Sequence, residues 1–156
     1  MSQIKFPALA AVVALLVALS VSSAGAAAPH KTQTLRFFSK PASITLTTAD
    51  GTVIRKPPYP QPKPGDVLDV NSLDYVGNHR HHAKRWSISD HVRCEFGAGA
   101  PDCESQVAIR GSLLIFHGDP GTLVVGTGRY QGATGRVLVN KEVKGGSDIV
   151  ARVHLK

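Results

Sequence analysis

Beyond residue 30 the chain alternates apolar and polar positions in short β-branched runs, and no stretch carries apolar residues at a sustained helical spacing. Gly, Pro, Asn and Asp punctuate these runs, as strand ends require. Gln33 to Phe38 and Ser43 to Thr48 read as two pieces of a first strand broken near Pro41. Residues 55–65 hold five prolines and form an inter-strand loop, because proline cannot donate to a ladder. Further strands are predicted at Val67 to Leu73, Trp86 to Phe96, Ser105 to His117, Thr122 to Val125, Arg136 to Val143 and Asp148 to Leu155. Closely spaced strands with no amphipathic helix to cover a face point to an all-β sandwich or closed barrel. A barrel also removes exposed sheet edges.

The alternation assigns side chains to faces. Along Trp86–Phe96 the apolar set is Trp86, Ile88, Val92, Cys94 and Phe96, and Asp90 falls in register with it. Val107, Ile109, Leu113 and Ile115 share a face, as do Val137, Val139 and Val143, the latter interrupted by Lys141. Ile149, Ala151, Val153 and Leu155 form another. An inward Asp90 needs a partner or a raised pKa, since an unpaired buried carboxylate is costly. Lys141 is a candidate partner. The competing reading puts Asp90 in solvent after a register break.

Residues 1–26 stand apart. Lys5 precedes an apolar run from Phe6 to Val21, and Ser22-Ser23-Ala24-Gly25-Ala26 supplies the small-x-small pattern of a signal peptidase site. The run falls short of the ~20 residues of a bilayer span and is followed by small residues rather than Lys or Arg. Cleavage after Ala26 is expected, because cleavage after Ala28 would leave Pro29 first. No membrane span then remains. The remaining chain, residues 27–156, has 17 basic against 11 acidic residues. Its size suits one domain.

Two cysteines exclude a multi-disulfide miniprotein and a Cys-based zinc module. In an exported protein Cys94 and Cys103 are expected to pair, closing a loop with turn residues at its centre and pinning two adjacent strands at a hairpin end.

Two stretches carry a resemblance. The first, Gly126-Thr127-Gly128-Arg129-Tyr130-Gln131-Gly132-Ala133-Thr134-Gly135, reads as strand, tight turn, strand, with Tyr130 and Ala133 packed beneath glycines that permit close backbone approach. The second is Pro64-Gly65-Asp66, opening a strand upstream of the cysteine pair. The turn resembles the glycine-rich turn of the allene oxide cyclase and dirigent barrels, and the order of features is similar to their small secreted bacterial members. The likeness covers residues 43–156 and is strongest over 111–156, leaving 27–42 as an N-terminal segment with the start of the first strand. Val125 departs from it, standing where a further glycine is usual. The resemblance implies an antiparallel eight-stranded barrel with a largely apolar cavity, often trimeric. Its plant members cyclise an unstable fatty-acid epoxide or steer phenoxy-radical coupling, tasks that need a shaped pocket more than a strong nucleophile.

Other chemistries find less support. Asn78-His79-Arg80-His81-His82, with His91, is the densest set of metal-ligand types, but no Cys or carboxylate sits at a fitting spacing and Arg80 intervenes. It reads as a basic solvated loop. Gly126-x-Gly128 lacks the third glycine and the Gly-Lys-Ser/Thr of nucleotide loops. No serine elbow marks a hydrolase, and no carboxylate pair at strand spacing marks a glycosidase. Basic residues are not interleaved with aromatic platforms, which argues against specific nucleic-acid binding. No cofactor is implied. The expected function is an exported barrel that binds a hydrophobic small molecule and guides its cyclisation or coupling, with Asp90 and, second, Tyr75 as the candidate catalytic groups. A non-catalytic carrier or surface interaction protein is the alternative.

Overall fold

A computed structural model describes residues 31–156; the segment expected to be a signal peptide, residues 1–26, lies outside them. The strands are β1 (Thr32–Thr47), β2 (Val53–Ile54), β3 (Val67–Val76), β4 (Ile88–Glu95), β5 (Asp102–Ile109), β6 (Ser112–His117), β7 (Thr122–Gly126), β8 (Thr134–Val143) and β9 (Gly146–His154). All pairings are antiparallel, and the order β1-β3-β4-β5-β6-β7-β8-β9 closes through β1–β9, giving an eight-stranded barrel with β2 appended to the end of β1. No α-helix occurs among the described residues. The first and last strands close the wall together, pairing Thr32 with His154 through to Ser39 with Ser147. The seam between β7 and β8 is the thinnest, with Thr122 and Arg136 as its single pair.

The two pieces expected of the first strand are one continuous β1, with a register shift between Pro41 and Ser43. Its first half pairs with both β3 and β9, and its second half with β3 and β2. Asp66, at the start of β3, ties the loops together. Its Oδ1 accepts from the Ala49 N–H and its Oδ2 from the Lys63 N–H, each at 2.8 Å.

Four expectations about the strands need correction. Ser105–His117 is not one strand but the β5–β6 hairpin. Arg110 and Gly111 both take positive φ, 49° and 74°, which is the two-residue reversal that matches strand twist. The reversal puts Val107, Ile109, Leu114 and Phe116 inside and moves Leu113 and Ile115 outside. In β8, a bulge at Leu138 shifts the register between Val137 and Val139. Val137 faces inward with Ala151, but beyond the bulge Asn140 and Glu142 pair with the inward Ile149 and Ser147, so Val139, Lys141 and Val143 lie outside. Trp86 precedes β4 and is 53% exposed rather than packed on its inner face. Lastly, β3 continues past Leu73 to Val76.

Side chains fill one end of the barrel. Tyr130, Leu114 and Val153 are wholly buried there, among Leu35, Ile109 and Leu123. The glycine-rich turn forms this floor as a short 3-10 segment, Gly128–Tyr130, that drops Tyr130 into the barrel. Gly126 has no room for a side chain, since a Cβ would collide with the Tyr130 carbonyl oxygen. Gly128 sits at φ 56°, and a Cβ on it would lie 2.6 Å from the Ser112 hydroxyl. Ala133 packs against the same cluster.

Candidate functional site

The opposite end of the barrel is open, and a cavity of about 440 Å³ runs inward from it. Its mouth is framed by the turn at 118–121 and by the ends of β4, β5 and β8. Because inward positions recur every second residue, the strands line it with Phe37, Val70, Val92, Val107, Phe116 and Ile149. Cys94 and Cys103 are directly opposed in the β4–β5 ladder, form a disulfide, and also face this space.

Among these apolar walls stands a polar group centred on Asp90. β4 keeps an unbroken register with β3 and β5, pairing Asp90 with Ser72 on one side and Val107 on the other, so the carboxyl faces the interior. The Ser105 hydroxyl donates to Asp90 Oδ1 at 2.8 Å. Burial pushes the Asp90 carboxyl up to about 6, against the pull of the Ser105 hydroxyl and the neighbouring His91. Lys141, the partner considered from the sequence, lies outside the wall, where it pairs with Asp148 across β8–β9.

A second carboxyl lies deeper. Asp74 is fully buried, opposite Ser39 on β1 and Ile88 on β4, and follows Ser72 along the inner face of β3. Neither of its carboxylate oxygens has a hydrogen-bond partner of normal geometry. Burial raises it to about 7; proximity to the Ser39 hydroxyl opposes this and the Asp90 charge adds to it. Asp74 and Asp90 occupy diagonal positions across β3–β4, where backbone positions stand roughly 7–8 Å apart. Together they make a site that can hold or release a proton near neutral pH. The sequence pattern predicts β3 only to Leu73, which leaves Asp74 outside the strand. The signal was nonetheless present, since Asp74 is in phase with Leu68, Val70 and Ser72.

The cavity has one sign of charge. Its acidic residues are Asp90, Glu104, Asp119 and Glu142, and no Lys, Arg or His lines it. Glu104 projects to the outer face, where it accepts from the Gln106 amide at 2.8 Å, which leaves three.

Tyr75 occupies the outer face of β3, against the His82 ring and under the Lys40 ammonium, and does not line the cavity. The histidine-rich loop folds down on that outer face. The His79 N–H donates to Asp148 Oδ1 at 2.7 Å, and its ring Nδ1 meets Oδ2 at 2.5 Å. Slight burial pushes the Asp148 carboxyl up, but His79 and then Lys141 outweigh it and hold the group below its usual range. His82 packs on Phe38 and Tyr75, so the loop covers an otherwise bare aromatic. No group of three or more His, Cys, Asp or Glu side chains among the described residues is placed to hold a metal ion.

Set beside protein-family models, curated proteins and solved structures, this chain matches none of them.

Proposed function

We propose that this chain is an exported member of the allene oxide cyclase and dirigent-like barrels, which binds an apolar small molecule in its open cavity and guides its cyclisation or coupling. The observation that carries the reading is a carboxyl held near neutrality inside an apolar, ligand-sized space. The walls fold a flexible intermediate into one conformation and keep water from it. Asp90 then gives or takes a proton at Oδ2, while Ser105 fixes the carboxyl through Oδ1. The glycine-rich turn and the barrel support the family reading, and the Cys94–Cys103 disulfide suits an oxidising compartment. A trimer of the kind the resemblance implies would have the exposed Val124, Val125, Leu138 and Val139 available for its contacts.

The second reading is a carrier, favoured by the position of Tyr75 outside the barrel, which leaves the ligand surface without a phenol to act beside Asp90. Organic extraction of the purified protein, after native mass spectrometry, identifies a bound ligand and its stoichiometry. Asp90→Asn is expected to keep binding that ligand and to lose about 100-fold or more in turnover or product selectivity. An unchanged product distribution would remove Asp90 from the mechanism and leave the carrier.

A further inference from the structure

We infer that the ligand of this cavity is an organic cation, an apolar body bearing a basic nitrogen that seats between Asp90 and the acidic rim. The inference rests on the proposal that the cavity holds a small molecule, and adds the sign of its charge. The whole chain carries a formal charge of +7, yet its cavity gathers Asp90, Asp119 and Glu142 with no basic side chain among the lining residues. Asp90 on β4 and Glu142 on β8 stand on opposite walls, since three strands separate them in either direction around the barrel. A group entering through the mouth therefore meets acidic side chains from both sides.

Asp74 supplies an independent observation. It is fully buried beside the Ser39 and Ser72 positions that line the cavity, behind the lining itself, and neither carboxylate oxygen has a hydrogen-bond partner of normal geometry. A neutral apolar ligand would expel water from above this pair and increase the cost of any charge on it. An anionic ligand would add repulsion to that cost. An ammonium would lower it, because opposite charges in a water-poor space attract strongly. The apolar walls suit an organic body rather than a bare metal ion, which needs several oxygen donors converging on one point.

The test uses three ligands of equal length: decylammonium, decanol and decanoate, titrated calorimetrically below their aggregation limits. The protein's surface charge favours the anion, so a preference for the cation can come only from a local acidic site. Decylammonium is expected to bind at least about tenfold tighter than decanol, with decanoate weakest and excess decanol displacing the cation. Asp90→Asn and Glu142→Gln should each shrink the ratio of decylammonium to decanol affinity, with parent-like circular dichroism and thermal unfolding showing that the variants are folded. Equal affinity for decylammonium and decanol would overturn the charge assignment and leave the apolar-ligand proposal standing. A cation preference that survives both substitutions would also overturn it, by placing the cation elsewhere. If none of the three binds, the cavity reading falls with it.

Discussion

The two ends of the barrel follow the same alternation and end up with different contents. At the floor, inward positions carry Leu35, Leu114, Tyr130 and Val153, and the space between strands is filled. Above it the inward positions mix Ser39, Ser72, Asp90, Ser105 and Ser147 with the apolar walls, and a cavity remains between them. The floor is thus a hydrophobic core in the ordinary sense, while the mouth gives up packing to keep a cavity and two carboxyls. One core runs from the packed floor up into the cavity walls, so packing falls off along the barrel axis, and substitutions should reveal the gradient.

The sharpest contrast is expected between Tyr130→Ala and Val92→Ala. Removing the floor plug should cost about 3–5 kcal/mol in chemical denaturation, because close-packed neighbours cannot collapse into the gap. Val92→Ala, on a wall that already borders open space, should cost about 1 kcal/mol or less. Equal losses would show that the cavity wall carries as much of the fold as the floor. Next in size is the disulfide. Replacing Cys94 and Cys103 together by Ala should cost about 2–3 kcal/mol, the amount expected from releasing a short loop. The smallest effect has the opposite sign. Folded Asp74 keeps its proton up to about 7, whereas the unfolded chain ionises it near 3.8. The native state therefore binds the extra proton between those values, and stability falls as pH rises through that window. Asp90, raised to about 6, slopes the same way. Asp74→Asn should add about 1–2 kcal/mol at pH 8 and little at pH 4, so denaturation curves at the two pH values should converge. A variant less stable than the parent at pH 8 would mean that the ionised carboxyl is better solvated than its burial implies.

Much of this division was legible in the sequence wherever a strand keeps its phase. Asp90 reads in register with the apolar face of β4, and the unbroken pairing removes the competing solvent-facing reading, while the Gly126–Gly135 turn announced both its close approaches and the packing of Tyr130. The failures at the 110–111 reversal and in β8 share one cause, a change of phase that composition does not mark, while Trp86 and the end of β3 are errors of strand bounds. The Arg110-Gly111 reversal hides in a run that alternates on both sides of it, so Leu113 and Ile115 were assigned to the wrong face. The bulge at Leu138 adds one residue to β8, exchanging Lys141 for Glu142 at the mouth. Asp74 was missed for a related reason, since an acidic residue near a strand end looks like the start of a loop until its partner strand is known. The sign of the cavity's charge turned on the bulge in β8, so it emerged only from the pairing.

The pairing of β1 with β9 has a consequence for how the molecule can be held. Residue 31 and the final lysine both leave the barrel at the filled floor, with Leu155 N–H donating to the Lys31 carbonyl at 2.9 Å. An attachment at either end therefore pulls on the floor and leaves the opening directed away from the point of attachment. Immobilised on a surface or fused to another domain, the barrel would stand upright like a cup on its base, with its contents still exchangeable with the surroundings.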